Sequence, residues 1–154
     1  MNNLVSNKYF FDANQEPVDY DGSPISWRVS AYALVKKNNK ILIIKNKREK
    51  LYDIVGGGIE FGEDITQALE RECMEEGGAE IKIGTLLKAH VDWFYHRNGN
   101  YYQTLQLFYE AELSGDLQEP TEKDIDWCNF VPVEDIGKKY RLPPVVEKLV
   151  KQSY

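Results

Sequence analysis

The chain reads as an α/β protein, a mixed sheet with helices packed on it, and three observations lead there. β-rich runs come in pairs around short turn signals, one stretch between those pairs carries the caps and periodicity of a helix, and apolar residues at helical spacing follow a proline pair near the end. Length and composition allow one domain: 154 residues with 42% hydrophobic content bury a substantial core, and no linker, repeat or low-complexity tract divides them. Residues 1–154 are thus expected to form one domain. Residues 1–27 are its N-terminal extension, in which Tyr9, Phe10, Phe11 and Tyr20 stand among turn residues. Three roles are open for it: an added strand, a lid, or a contact in a homodimer.

The elements follow in order. Residues 28–36 and 40–45 are β-rich around Lys37-Asn38-Asn39, a hairpin, and residues 51–55 form a short strand that delivers the chain to a glycine loop. A helix is expected over 65–76, because Asp64 and Gln67 make a capping box and Gly77-Gly78 supplies the stop. Residues 85–96 and 101–113 flank Arg97-Asn98-Gly99-Asn100, where Asn-Gly is a strong hairpin signal. Alternation in the second arm puts Leu105, Leu107 and Tyr109 on one face, read as core, and Tyr102, Thr104, Gln106 and Phe108 on the other. Residues 125–131 read as a last strand and 132–136 as a short helical turn. Val145, Val146, Leu149 and Val150 then have helical spacing after Pro143-Pro144.

The helix over 65–76 states a chemistry. With roughly 100° of turn per residue, Ile65, Ala68, Leu69, Glu72 and Glu76 share one stripe, with Cys73 at one edge and Glu75 at the other. Two carboxylates therefore continue the apolar face, where an ionised carboxylate costs several kcal/mol unless it is paired or binds a cation. Oxygen-only ligation at one helix end suits magnesium or manganese better than zinc, which prefers nitrogen and sulfur. Phosphate is the natural co-ligand.

From Gly57 the chain runs Gly-Gly-Ile-Glu-Phe-Gly-Glu-Asp-Ile-Thr-Gln-Ala-Leu-Glu-Arg-Glu-Cys-Met-Glu-Glu-Gly-Gly-Ala. This resembles the signature of the Nudix (MutT-like) hydrolases, whose fixed positions fall on Gly57, Glu63, Arg71, Glu72, Cys73, Glu75, Glu76, Gly78 and Ala79. Cys73 and Ala79 stand where a larger aliphatic is usual, and Val55 replaces the proline that often precedes the double glycine; these departures touch packing, not chemistry. The resemblance implies an α/β/α sandwich with a loop–helix–loop catalytic motif at one sheet edge. It also implies attack of water on a phosphorus atom of a nucleoside diphosphate linked to another group, with Mg2+ or Mn2+ neutralising the bridging phosphates and a carboxylate taking the proton. Glu72 and Glu76 are the first expected metal ligands. Glu75 either ligates or pairs with Arg71, and Gly56 adds its backbone. Glu72 is the first choice of base, Glu122 in the polar loop 114–124 the second, Glu119 a third. Glu63 is expected to pair with Arg71 in support. Gly56, Gly57, Gly58 and Gly62 let the backbone approach metal or phosphate, and Arg28, Lys45, Lys47, Arg48 and Lys50 bring positive charge near them.

The expected partner is a small nucleotide-type substrate. A net charge of −6 argues against a nucleic-acid polymer or an anionic membrane. Cys73 and Cys128 have no zinc-type spacing and need no bridge, and no basic-then-apolar signal or membrane-length apolar run occurs, which points to the cytoplasm. The aromatics between Trp93 and Tyr109 offer faces for a base, although strand alternation assigns several to core. His90 and His96 lack metal-like spacing and are read as structural. The compact length leans towards a nucleoside triphosphate or modified nucleotide as substrate. ADP-ribose, sugar nucleotides and dinucleoside polyphosphates are the alternatives, and no Ser-Gln-Pro-Trp-Pro-x-Ser run of the NADH-cleaving type occurs. A non-catalytic nucleotide sensor usually loses box glutamates, all of which stand here. An isoprenoid diphosphate isomerase needs a reactive cysteine, and Cys73 lies inside the acidic helix.

Overall fold

A computed structural model describes residues 10–154. Tyr9 lies outside the described residues. A nine-stranded mixed sheet runs in the order β2 (Pro17–Val18), β1 (Phe10–Phe11), β7 (Ile81–Tyr95), β8 (Tyr101–Leu113), β3 (Ile25–Lys37), β4 (Lys40–Asn46), β5 (Tyr52–Asp53). β6 (Val55–Gly58) pairs with β3 and β9 (Ile125–Pro132) with β4. The parallel contacts are β3 with β8, from Ile25↔Tyr101 to Lys36↔Glu112, and β1 with β7 at Phe11↔Phe94.

The expected hairpin at Lys37-Asn38-Asn39 is present, with Asn38 at φ 55, but only Lys36↔Ile41 and Lys37↔Lys40 pair across it. The two arms then part, β3 turning to β6 and β4 to β9. The second hairpin closes through the amide of His96 donating to Asn100 O, and its first arm begins at Ile81, earlier than expected. In the extension, β1 and β2 add to the sheet edge, and buried Phe10 meets the rings of Tyr20 and Tyr101.

Each sheet face buries its own core. On one, Leu69 and Cys73 of α1 (Ile65–Gly77) sit on Ala31, Ala33 and Val35 of β3, Leu42 and Ile44 of β4, and Val55. Alanines under the helix let it approach the sheet closely, and α1 packs foremost on β6 and the strands β3 and β4 beside it. On the other, Val146, Leu149 and Val150 of α2 (Pro144–Gln152) cover Leu34, Ile41, Ile43 and Phe108. A single 3₁₀ turn, Val133–Asp135, precedes α2.

Two readings are corrected. The glycines are not a loop: Gly56, Gly57 and Gly58 are strand β6, opposite Tyr32, Ala31 and Ser30, and the loop starts after them. Along β8 both faces are buried: Tyr109 packs with Ala111 on the α1-side core as expected, while Leu105 and Leu107 are half-buried, and the face assigned away from the core holds buried Thr104 and Phe108. β8 is an interior strand flanked by β7 and β3, and the α2-side core claims its Phe108 face.

Candidate active site

α1 is aimed by its caps. The Asp64 carboxylate accepts from Gln67 N while the Gln67 side chain accepts from Asp64 N, and Gly78 ends the helix in the left-handed region at φ 56. The end turn is then clamped from outside: Thr121 N and Glu122 N both donate to Glu75 O, and Gln118 N donates to Gly78 O. Loop 114–124 is thereby hung on the end of the acidic helix, which brings Glu122 to its side.

Arg71 organises the near end of the cluster. Its Nε donates to Glu63 Oε1 at 2.6 Å and its Nη2 to Glu63 Oε2 at 3.0 Å, a two-toothed grip, while Nη2 also donates to Gly58 O at 3.1 Å. Nη1 donates to Glu72 Oε1 at 2.8 Å and reaches Glu75 Oε2 at 3.4 Å. The Arg71 guanidinium and the Glu60 amide hold the Glu63 carboxyl down at about 2.

Glu72 and Glu76 lie against β6. Gly56 N donates to Glu76 Oε2 at 3.1 Å, and a Cβ on Gly57 would stand 2.5 Å from Glu72 Oε1. The same substitution at Gly58 would meet Arg28 Nη2 at 2.5 Å, so each glycine makes room for a charged side chain. Burial raises the Glu72 carboxyl despite Arg71. Burial pushes Glu76 up to about 8, with Gly56 N opposing and the charges of Glu72, Asp53 and Glu122 adding to the rise. Cys73 and Cys128 are free thiols, and burial holds both up.

The NUDIX domain family matches residues 26–152. The chain belongs to the Nudix family. Its relatives include the ADP-ribose pyrophosphatase of Methanocaldococcus jannaschii, 37% identical over 62 residues, which are 38% of this chain and 37% of that protein. The NAD-capped RNA hydrolase NudC of Vibrio atlanticus is 23% identical over 108 residues, 67% of this chain and 38% of that protein. Less than half the length of these curated relatives is therefore matched. Among solved structures, the MutT Nudix hydrolase from Burkholderia pseudomallei superposes with TM-score 0.69 at 22% identity, over 84% of this chain and 99% of that one. A Nudix hydrolase from Nitrosomonas europaea gives 0.65 at 20% identity, over 82% and 87%.

Within this Nudix domain the expected ligands do not stand ready around one point. Among the described residues no three His, Cys, Asp or Glu side chains form a metal-holding group. Arg71 engages Glu72 and Glu75, and Gly56 N engages Glu76. The donor set still fits Mg2+ or Mn2+: it is all oxygen, and a divalent cation would offset the burial that lifts Glu76 together with the neighbouring charges that add to it. The basic run is placed differently from expectation. Lys45 Nζ donates to the carbonyls of Glu49 and Leu51, Lys47 Nζ to Lys123 O, and Arg48 pairs with Asp124, so these side chains tie two loops together. Arg28 is the member of the expected cationic set whose side chain lies against the glycines, at Gly58. Asp53 was missed by sequence reasoning. Burial lifts its carboxyl to about 7, and its charge bears on Glu76; the signal was a lone acid in the run Leu51-Tyr52-Asp53-Ile54-Val55 just ahead of the glycines.

Proposed function

We propose that this protein is a metal-dependent hydrolase that cleaves the diphosphate linkage of a nucleoside diphosphate joined to another moiety. The observation that carries the reading is the carboxylate pair Glu72 and Glu76, laid against the backbone of Gly56 and Gly57 and steadied by Arg71. Glu72, Glu75, Glu76 and the Gly56 carbonyl are the groups to hold Mg2+ or Mn2+. When bound, the cation neutralises phosphate charge and lowers the pKa of water.

The chain's own residues do the rest. Glu72 takes the proton of the attacking water as its oxygen bonds to phosphorus and the bridging P–O bond breaks, leaving two phosphorylated products. Glu122, carried beside the helix end by its amide bond to Glu75 O, is the second candidate for that proton. Arg28 and the close backbone at Gly57 and Gly58 receive the phosphates. Arg71 and Glu63 position Glu72.

A nucleoside triphosphate or modified nucleotide is the first substrate class. ADP-ribose is the second, favoured by the 37% identical stretch shared with a protein named for that activity. The test is phosphate, pyrophosphate or nucleotide release from nucleoside triphosphates, oxidised nucleotides, ADP-ribose, sugar nucleotides and dinucleoside polyphosphates with Mg2+ or Mn2+. Glu76→Gln should abolish turnover while circular dichroism stays native, and Glu122→Gln should cost far less than Glu72→Gln. Silence of the wild-type chain across the panel refutes the hydrolase reading and leaves nucleotide sensing in its place.

A further inference from the structure

On the sheet face that carries Tyr32, Leu34 and Phe108, the one turned away from α1, a polar row runs on from Arg28. On adjacent parallel strands Arg28 lies opposite Thr104 and Ser30 opposite Gln106, and the hydroxyls of Ser30 and Thr104 are 3.4 Å apart, which places their side chains on one face. Gly58, against which Arg28 rests, pairs with Ser30 on the other side. Ser30 and Thr104 are buried. In the middle of this row the Gln106 Oε1 is buried without a hydrogen-bond partner.

An amide oxygen held that way is unfavourable, because a buried acceptor has lost water and gained nothing. The terminal amide torsion is soft, so a half-turn presents the oxygen outward to an incoming donor. After that half-turn the oxygen faces outward as an acceptor, which matches the exocyclic amino donor of an adenine-type base or a sugar hydroxyl. We propose, resting on the nucleotide-hydrolase reading above, that Gln106 is the specificity-determining residue that accepts a hydrogen bond from the nucleoside part of the substrate, with Arg28 turning the adjoining phosphate towards Glu72. The donor is the base amino group. A sugar hydroxyl is the other source of the same chemistry.

The experiment compares wild type with Gln106→Met, which keeps length and removes the acceptor, and with Gln106→Leu should the first fold poorly. Probes are ADP-ribose, its hypoxanthine analogue and its 2′-deoxy analogue for kcat and KM, and AMP, IMP and 2′-deoxy-AMP for equilibrium binding without metal. Wild type should favour the amino-bearing member about 10-fold, and the variant should bring that ratio close to one through KM, with kcat and Tm held or Tm raised. Collapse of the ribose-to-deoxyribose ratio instead also supports the inference and assigns the donor to the sugar. Turnover with both ratios unchanged in the variant overturns the inference and leaves the hydrolase standing. Binding that is lost in the variant, in a protein with no turnover, supports Gln106 and overturns the hydrolase. Absence of nucleotide binding by wild type overturns the inference.

Discussion

Arg71→Ala removes the donor that three carboxylates and a strand carbonyl share, and its cost follows from the geometry. The grip on Glu63 and the bond to Glu72 join side chains that are 18% and 14% exposed to a guanidinium 23% exposed, whereas Glu75 is 43% exposed and adds little. Removing one partner of a fully buried pair costs about 3–5 kcal/mol, and the remaining solvent screening places this site at the low end, about 3 kcal/mol. In a chain of this size each kcal/mol moves Tm by about 2–4 °C, so the expected drop is roughly 6–12 °C. Arg71→Lys should recover about half or less, since an ammonium cannot grip both Glu63 oxygens and reach Glu72. Thermal unfolding is followed by circular dichroism in chelator, where no cation takes over the arginine's charge. A fall below about 2 °C for Arg71→Ala would refute the view that the guanidinium holds the cluster together.

Gly57→Ala places a methyl 2.5 Å from Glu72 Oε1, so it should cut turnover at least 10-fold with little loss of Tm; isothermal titration with Mn2+ should show weaker binding in parallel, and unchanged Mn2+ affinity would contradict the placement of Glu72. Asp53 gives a pH signature. Its carboxyl is raised from 3.8 to about 7, so its proton stabilises the fold fully below about pH 4, and that contribution is lost as pH rises through 7. Asp53→Asn should therefore flatten the decline of Tm between pH 5 and 8, and identical slopes in the two proteins would rule this out.

What could be read in the sequence was what local residues decide. The helix start, the capping box and the pairing of Glu63 with Arg71 are set within a few residues and stand as expected, and the helix ends one residue later, at Gly77. The glycine strand was illegible because three glycines carry no strand propensity; β3 imposes the strand by pairing with them across the fold. The burial of Thr104 and Phe108 depends on which face of an interior strand receives α2, a fact absent from alternation alone. β1 and β2 have two residues each, too short for a period to show; β1 is recruited by β7 from far along the chain, and β2 pairs on β1. Lys45 sits near the glycines in sequence, yet carbonyls of its own loop take its ammonium. Asp53 and Gln106 escaped notice because a single polar residue in an apolar or mixed run has no pattern of its own.

The amide bonds from Thr121 and Glu122 to Glu75 O tie loop 114–124 to the last turn of α1. Those amides exchange with deuterium when the bonds to Glu75 O break, so their protection reports how firmly the loop is docked on the helix. While those bonds hold, the backbone of Glu122 keeps a fixed distance from the acidic turn, so a substitution that loosens the loop should be felt at the carboxylates without touching any of them.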